Sequence, residues 1–373
     1  MKSDAVEELY PLSPAQQGML FHSLYAPESG VYVFQVITTL QGDVDLAAFL
    51  TAWQEILDRH AILRTAFVWE NLDSPLQVVC RRATLPVTEH DWRDVSRREQ
   101  HERMQAFLRA DRRQAFDLGK APLMRLAVIR AGEQRYRFCW TSHHLLLDGW
   151  STSQVFSEIF ACYQALRRNE KPQRARVRPY RDYIAWLLQQ DLSAAESFWR
   201  RTLAGFSAPT PLGVDRPAAD LLDANDYGED ELALTVELSA ALQQLGRQQQ
   251  LTLNTMVQGA WALLLSRYSG ERDIVFGATV SGRPGELPGV EAMVGPFINT
   301  LPVRVRVPRE EPVIAWLRYL QQQQVETRQC EYSPLVQVQG WSEVPRGVPL
   351  FESLLVFENY PRAGLSPGHR RRR

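Results

Sequence analysis

Apolar residues recur at three- and four-residue steps from Asp45 to His60. This spacing places one hydrophobic face on an α-helix. Asp43 or Asp45 can cap the start of the helix with a carboxylate. The next apolar runs, Arg64–Val68 and Leu76–Cys80, are short and favour strands. The pattern therefore predicts a chain that opens as a mixture of helix and strand.

A second helix is predicted downstream of a strand pair. Ala121–Arg130 and Gln134–Ser142 read as two strands, because residues of the second alternate between two faces. After Gly149 the spacing becomes helical, and Ser151 with Gln154 resembles a capping box that starts the helix just beyond the glycine. The predicted apolar stripe of this helix consists of Val155, Phe156, Ile159, Phe160, Tyr163 and Leu166.

The second half repeats the alternation of helix and strand. Leu251–Tyr268 predicts a helix, Asp273–Val280 a strand, and Leu301–Val307 a strand with alternating valines. The predicted apolar face of the helix consists of Val257, Ala260, Trp261, Leu264 and Tyr268. The polar stretch Arg167–Arg178 is the best candidate for a domain boundary, and Ser207–Asp230 predicts a long surface loop.

The composition is that of a globular protein: 373 residues, 45% hydrophobic, with a net charge of −1. This balance gives no overall reason to bind nucleic acid or an anionic membrane, and the one obvious basic run is Arg370–Arg373. No signal peptide or membrane-spanning run is evident, so we expect a cytoplasmic protein. Four widely spaced cysteines predict buried thiols in a reducing compartment rather than disulfides or a zinc site.

The segment His143–Ser151 carries the most chemistry. Two adjacent histidines stand where a predicted strand ends and a helix begins, which is where α/β folds usually hold ligands. Consecutive side chains point opposite ways, so one imidazole can face a cavity and act as a general base while the other enters the core. Asp148 can pair with a cation, and Gly149 allows a close backbone approach to a ligand.

Other interpretations of this segment remain open. A histidine pair at a strand end is often a core feature, and Asp-Gly is a common turn. No third ligand at a recognised spacing indicates a metal site, so we expect none. The chain has no G-x-S-x-G elbow and no glycine-rich phosphate loop. We therefore expect direct transfer assisted by a base, without a covalent enzyme intermediate.

In its motifs the sequence resembles the condensation domains of non-ribosomal peptide synthetases, in the chloramphenicol acetyltransferase-like superfamily. The matching segments, in family order, are Tyr10–His22, Arg59–Phe67, His143–Gly149, Tyr180–Trp186, Phe276–Pro284 and Val294–Arg304. The resemblance implies a mixed α/β (α+β) fold with two acyltransferase-like lobes in a V-shaped pseudo-dimer. The N-terminal lobe is then 1–175 and the C-terminal lobe 176–373. The second lobe is expected to be incomplete, because the family's chain continues further.

The resemblance also implies an activity: amide-bond formation between a donor acyl or peptidyl thioester and an acceptor aminoacyl thioester. Both are carried on phosphopantetheine arms of carrier domains, which are the expected partners, and the domain itself binds no cofactor. The chain is then a monomeric domain or part of a larger synthetase. The wording of Gly18–His22 leans toward a subtype that takes a D-configured donor.

The resemblance assigns roles to individual residues. His144 matches the catalytic histidine, acting as a base or as a group that positions the amine. His143 and Asp148 match its structural partners, Asp148 pairs with Arg59, and Gly149 borders the reacting groups. The remaining candidates are Arg64, as a support of the neighbouring loop, and Trp150, Ser151, Trp186, Trp199 and Asn299, as tunnel-lining residues.

Three alternatives stay open at this stage. An epimerisation domain shares the H-H-x-x-x-D-G core, although Val294–Thr300 fits a condensing member better. A stand-alone acyltransferase using acyl-coenzyme A shares the fold and the histidine. A truncated, inactive module that only docks carrier domains is the third. A heterocyclisation domain has acidic residues in place of His143 and His144, and we do not expect one.

Overall fold

The helices and strands of this chain, described here from a computed structural model, interleave along the sequence. The structure describes residues 5–27, 29–172, 175–212, 228 and 230–359. Its elements in chain order are β1 (Val6–Pro11), α1 (Pro14–Tyr25), β2 (Val33–Gln41), α2 (Leu46–Arg59), β3 (Thr65–Val68), β4 (Leu76–Cys80), β5 (Val87–Asp91), α3 (Arg97–Arg113), β6 (Met124–Gly132), β7 (Arg135–His143), α4 (Gly149–Arg167), α5 (Arg181–Leu187), α6 (Leu192–Leu203), α7 (Val236–Gln249), α8 (Leu253–Ser269), β8 (Asp273–Val280), β9 (Asn299–Arg306), α9 (Val313–Arg328), α10 (Leu335–Trp341) and β10 (Leu354–Leu355). Most of the predicted loop Ser207–Asp230 and all of Arg370–Arg373 lie outside the described residues.

The strands form three sheets within the described residues. The strand orders are β1-β4-β3, β2-β7-β6-β5 and β10-β8-β9. In the second sheet β7 pairs antiparallel with both β2 and β6, whereas β5 and β6 run parallel. In the third, β8 pairs antiparallel with β9 and parallel with β10. The predicted mixed α/β class is confirmed.

The chain divides into two compact units. The first combines Met1–Gln189 with Arg283–Phe297, and the second combines Gln190–Gly282 with Ile298–Glu358. The later segment Arg283–Phe297 thus packs with the N-terminal part of the chain. The compact units do not coincide with the lobes 1–175 and 176–373 expected from sequence, and that lobe division stays a prediction.

Strand β7 lies between β2 and β6, and its residues from Phe138 to His143 are buried because side chains pack on both faces of the sheet. One face meets α2 and α4 through aromatic contacts: the Phe138 ring lies 4.3 Å from that of Phe49, and Trp140 lies 5.1 Å from Trp53 and 5.2 Å from Phe156. On the opposite face Cys139 joins a cluster with residues of α3. Such packing fixes the strand that ends at His143.

The predicted helix starts were right for α2 and wrong for α4. Asp45 caps α2, accepting a hydrogen bond from the Ala48 N–H at 2.9 Å. Helix α4 begins at Gly149 with Asp148 as its N-cap, not at Ser151. A carboxylate at Asp148 reaches the N–H of Ser151 at 2.7 Å, so the serine falls inside the first turn.

Helix α8 buries a different face from its predicted apolar face. Val257, Leu264 and Tyr268 are exposed, whereas Gly259 and Ala262 are buried. Gly259 on the buried face lies close to α9. A Cβ added at Gly259 would lie 2.4 Å from the Leu317 side chain of α9. Hydrophobic spacing gives no weight to a buried glycine or polar residue, so that prediction was wrong.

In the described part of the chain, none of the helices has the length and apolar character needed to span a membrane.

Candidate active site

The candidate site is the turn between β7 and α4. His143 ends the strand and Gly149 begins the helix, so residues 144–148 form a short connection at the C-terminal end of β7. The two histidines differ in exposure: His143 is buried, at 4% exposed, and His144 is half-buried. The burial of His143 agrees with one ring entering the core, and a cavity in front of His144 stays a prediction.

His143 is held in one neutral tautomer. Its Nδ1 accepts a hydrogen bond from the Leu145 backbone N–H at 3.1 Å, so that nitrogen carries no proton. Its Nε2 therefore bears the proton and lies 3.2 Å from the hydroxyl oxygen of Ser23. Burial, together with the neighbouring His144, lowers the pKa of His143 to about 3. The ring stays neutral at cellular pH.

In His144 the ring nitrogen that carries the proton is Nδ1, the opposite of His143. Its backbone N–H donates to the carbonyl of Tyr32 at 2.8 Å, which ties the turn to the residue before β2. Its Nδ1 lies 3.2 Å from the carbonyl oxygen of Leu147, and a carbonyl only accepts, so Nδ1 carries the proton. In the neutral ring Nε2 is then the basic nitrogen. The Phe34 ring packs 4.7 Å from the imidazole.

Asp148 binds a distant segment as well as capping α4. Its Oδ2 accepts a hydrogen bond from the Phe297 backbone N–H at 3.0 Å. Arg283 supplies the opposite charge, with Nη2 at 3.7 Å from Oδ1. The aspartate is 1% exposed and the arginine side chain 5%. Because both charges are buried, each depends on the other and on these hydrogen bonds.

Ser151 completes the attachment of this segment. Its hydroxyl donates to the Gly295 carbonyl at 2.7 Å and accepts from the Gly295 N–H at 3.1 Å and from Arg283 Nη2 at 2.8 Å. Gly295 also lies flat against Tyr180, where an added Cβ would be 2.2 Å from the ring. The first turn of α4 is thereby locked to Arg283–Phe297.

Asp148 does not pair with Arg59, which corrects the sequence-based expectation. Arg59 forms an ion pair with Glu158 at 3.3 Å and donates to the Ala175 carbonyl at 2.6 Å. Helix α2, which ends at Arg59, packs on α4, and Glu158 lies nine residues into α4, so the arginine meets the middle of that helix. The cation at Asp148 comes instead from Arg283.

Arg64 is buried, at 6% exposed. It forms an ion pair with Glu7 at 2.8 Å and donates to the Cys80 carbonyl. These contacts join the start of β3 to β1 and the end of β4. Its expected support of neighbouring chain segments is therefore structural.

Four of the residues expected to line a tunnel are hydrogen-bonded to neighbouring residues: Trp150, Ser151, Trp199 and Asn299. Trp150 is half-buried and donates to the Glu291 carbonyl at 3.1 Å, and Ser151 is fully buried. In the second unit, Trp199 is 0% exposed and bonds Ser333 at 2.8 Å. Asn299 there donates to the carbonyls of Glu331 and Ser333, both at 2.8 Å. These contacts give Ser151, Trp199 and Asn299 structural functions.

Arg283, Gly295 and Phe297 were missed as site residues, although they lie within segments that the resemblance matched. Arg283 lies in the matched segment that ends at Pro284, but nothing in the sequence indicated that it contacts Asp148. Among the described residues, no group of three or more His, Cys, Asp or Glu side chains is arranged to hold a metal ion.

Comparison with known proteins identifies the family. The condensation-domain family model matches residues 6–369. A linear gramicidin synthase of Brevibacillus parabrevis is 53% identical over 357 residues, covering 95% of this chain and 7% of that protein. This chain therefore spans a small part of that relative's length.

Two solved structures share the fold. The X-domain from teicoplanin biosynthesis is 26% identical, with a TM-score of 0.77 over 93% of this chain and 77% of that one. The first condensation domain of the calcium-dependent antibiotic synthetase is 18% identical, with a TM-score of 0.76 over 94% and 80%. This chain belongs to the condensation-domain family, whose members are the acyltransferase-type enzymes that form peptide bonds in non-ribosomal peptide synthesis.

Proposed function

We propose that this chain joins a carrier-bound donor thioester to a carrier-bound acceptor amine, with His144 as the catalytic residue, within a longer cytoplasmic synthetase. The acceptor nitrogen bonds to the thioester carbon and the carbon–sulfur bond breaks. The proton removed from the nitrogen ends on the released thiol. No external cofactor enters this balance.

The tautomer of His144 carries the proposal. Because Nδ1–H is donated to Leu147, Nε2 is the nitrogen able to accept a proton or a hydrogen bond from the attacking amine. Amines with a pKa near 8 are largely protonated at pH 7, so an accepting nitrogen is needed before attack. Both candidate roles of His144, base and positioning group, require this protonation state.

The surroundings keep the imidazole in place. Its backbone is tied to Tyr32, and the turn ends in the buried Asp148 cap. A fixed orientation lowers the entropic cost of aligning two tethered substrates. Gly149, next to the cap and half-buried, stays a prediction as the residue bordering the reacting groups.

The free thiols of the four cysteines are consistent with the expected reducing compartment. All four lie within the described residues and are thiols, three of them buried. Burial raises the pKa of Cys139 to about 12, so this thiol is inert at neutral pH. Neither the donor stereochemistry nor a monomeric state is supported by a particular contact, and both stay predictions.

The test is mass spectrometry of carrier-bound products after mixing the chain with loaded donor and acceptor carriers. A dipeptidyl product on the acceptor carrier supports the proposal. Product formed only from soluble acyl-coenzyme A would favour the stand-alone acyltransferase. Inversion of one carrier-bound residue without joining would favour epimerisation. Loaded carriers that bind without any product would indicate a docking module.

A further inference from the structure

Ser23, in helix α1, contacts the buried histidine at the end of β7. Its hydroxyl oxygen lies 3.2 Å from Nε2 of His143, although 120 residues separate the two in sequence. Nothing in the motif assignments gives Ser23 a function. The contact joins the first helix of the chain to the strand that leads into the catalytic turn.

The direction of the hydrogen bonds can be assigned. The Ser23 hydroxyl donates to the Met19 carbonyl at 2.7 Å, so its proton is already used. The oxygen therefore accepts from His143 Nε2–H, while Nδ1 accepts from the Leu145 N–H at 3.1 Å. A continuous chain of hydrogen bonds runs from the turn, through the ring, into α1.

The surroundings of His143 make this acceptor important. The rings of Tyr32 and Phe116 flank the imidazole, each with its centroid at 6.4 Å. With the histidine 4% exposed, water has little access to the N–H. A buried donor deprived of its acceptor is unfavourable, so the ring would turn away from Leu145 if Ser23 were lost.

We propose that Ser23 is a positioning residue, which accepts the His143 Nε2–H hydrogen bond and thereby holds the turn that presents His144. The ring then keeps Nδ1 directed at Leu145, the second residue of the turn. The catalytic part of this inference rests on the proposed function, whereas the hydrogen bond itself does not.

The hydrogen bond is tested by nitrogen-15 NMR of histidine-labelled protein, with the His143 signals assigned by loss in His143→Asn. Wild type should show protonated Nε2, unprotonated Nδ1 and no titration between pH 5 and 8. Ser23→Ala should give a mixed tautomer pattern, and Ser23→Thr should restore the wild-type pattern. An unchanged pattern in Ser23→Ala overturns the inference.

The matched control is Ser197→Ala. Ser197 donates to the carbonyl four residues earlier in its helix at 3.0 Å, as Ser23 does. It should leave the His143 signals and the condensation rate unchanged, so a change common to both variants would mark a general helix effect and contradict the inference.

The positioning part is tested by the rate of carrier-bound dipeptide formation. Ser23→Ala should lower it about tenfold, the factor for one buried hydrogen bond, with recovery in Ser23→Thr. An altered NMR pattern with an unchanged rate refutes positioning. Normal product from His144→Ala refutes the proposed function, and the NMR result then still decides whether the Ser23 hydrogen bond exists.

Discussion

The carboxylate of Asp148 accepts a hydrogen bond from the backbone N–H of Phe297, 149 residues further along the chain, at 3.0 Å. The same side chain caps helix α4 through Ser151 at 2.7 Å. Arg283 balances its charge from 3.7 Å. One buried residue therefore starts the helix that follows the turn at residues 144–148 and also fixes a remote segment beside it.

Replacing Asp148 by Asn should destabilise the fold by about 3–5 kcal/mol, because Arg283 is left buried without its counterion. The asparagine NH2 would also face the backbone N–H of Ser151 or Phe297, each of which donates to a carboxylate oxygen of Asp148 in the wild type. Urea unfolding of Asp148→Asn, Arg283→Met and the double variant measures the coupling.

Arg59 and Glu158 provide the control pair, with side chains 15% and 26% exposed at 3.3 Å. The same cycle on this pair should give a smaller coupling, because water screens partly exposed charges. Equal coupling in the two cycles would contradict the importance assigned to the buried pair.

A methyl group at position 295 should be poorly tolerated. In Gly295→Ala the new Cβ would lie 2.2 Å from the Tyr180 ring, which is 1% exposed and hydrogen-bonded to the Pro296 carbonyl at 2.9 Å. We expect a loss of about 1–3 kcal/mol in the free energy of unfolding. Gly340→Ala, in α10 with nothing within 4 Å of the added Cβ, should cause no loss. Equal effects in thermal unfolding would argue against the close contact.

His144→Ala should abolish condensation while the fold survives, because this half-buried side chain contributes little to the core. Loss of acid–base assistance alone is worth about 10²–10⁴ in rate. Product formation by mass spectrometry, with circular dichroism as the fold check, measures both. His101→Ala, at an exposed position of α3, is the matched control and should remain active. Dipeptide formation at the normal rate by His144→Ala would exclude this residue.

Acid should weaken the fold through His143. Its pKa falls from 6.5 to about 3 on folding, so between these values the unfolded chain binds more protons and stability decreases as the pH falls. At pH 5 this amounts to about 2 kcal/mol relative to pH 7. Urea unfolding at pH 5 and pH 7 should show a shallower dependence for His143→Asn, whose side-chain carbonyl can still accept from Leu145. Parallel pH profiles would contradict this assignment.

The local elements followed from sequence because their signals are local. Helix α2, its Asp45 cap and the limits of β8 depend on spacing and on one neighbouring side chain. The turn at residues 144–148 was also recognisable, since His143 ends a strand and Gly149 begins a helix. What these elements contact was harder to predict.

The partner of Asp148 was assigned wrongly for a physical reason. Arg59 and Arg283 both lie in segments with family resemblance, and hydrophobic spacing carries no information about which guanidinium reaches a carboxylate. Packing decides it: Glu158 holds Arg59, while Ser151 and the Asp148 oxygens hold Arg283 and its segment. The buried face of α8 was also predicted wrongly, because it includes Gly259, where the Leu317 side chain leaves no room for a Cβ.

The grouping of Arg283–Phe297 with the first compact unit bears on protein engineering. A hybrid protein whose crossover falls within residues 190–282 takes Asp148 from one parent gene and the segment Arg283–Phe297 from the other. In such hybrids the buried carboxylate of Asp148 needs an arginine that the other parent's sequence has to supply at position 283. Chimeras that move the loop together with the N-terminal portion avoid this mismatch.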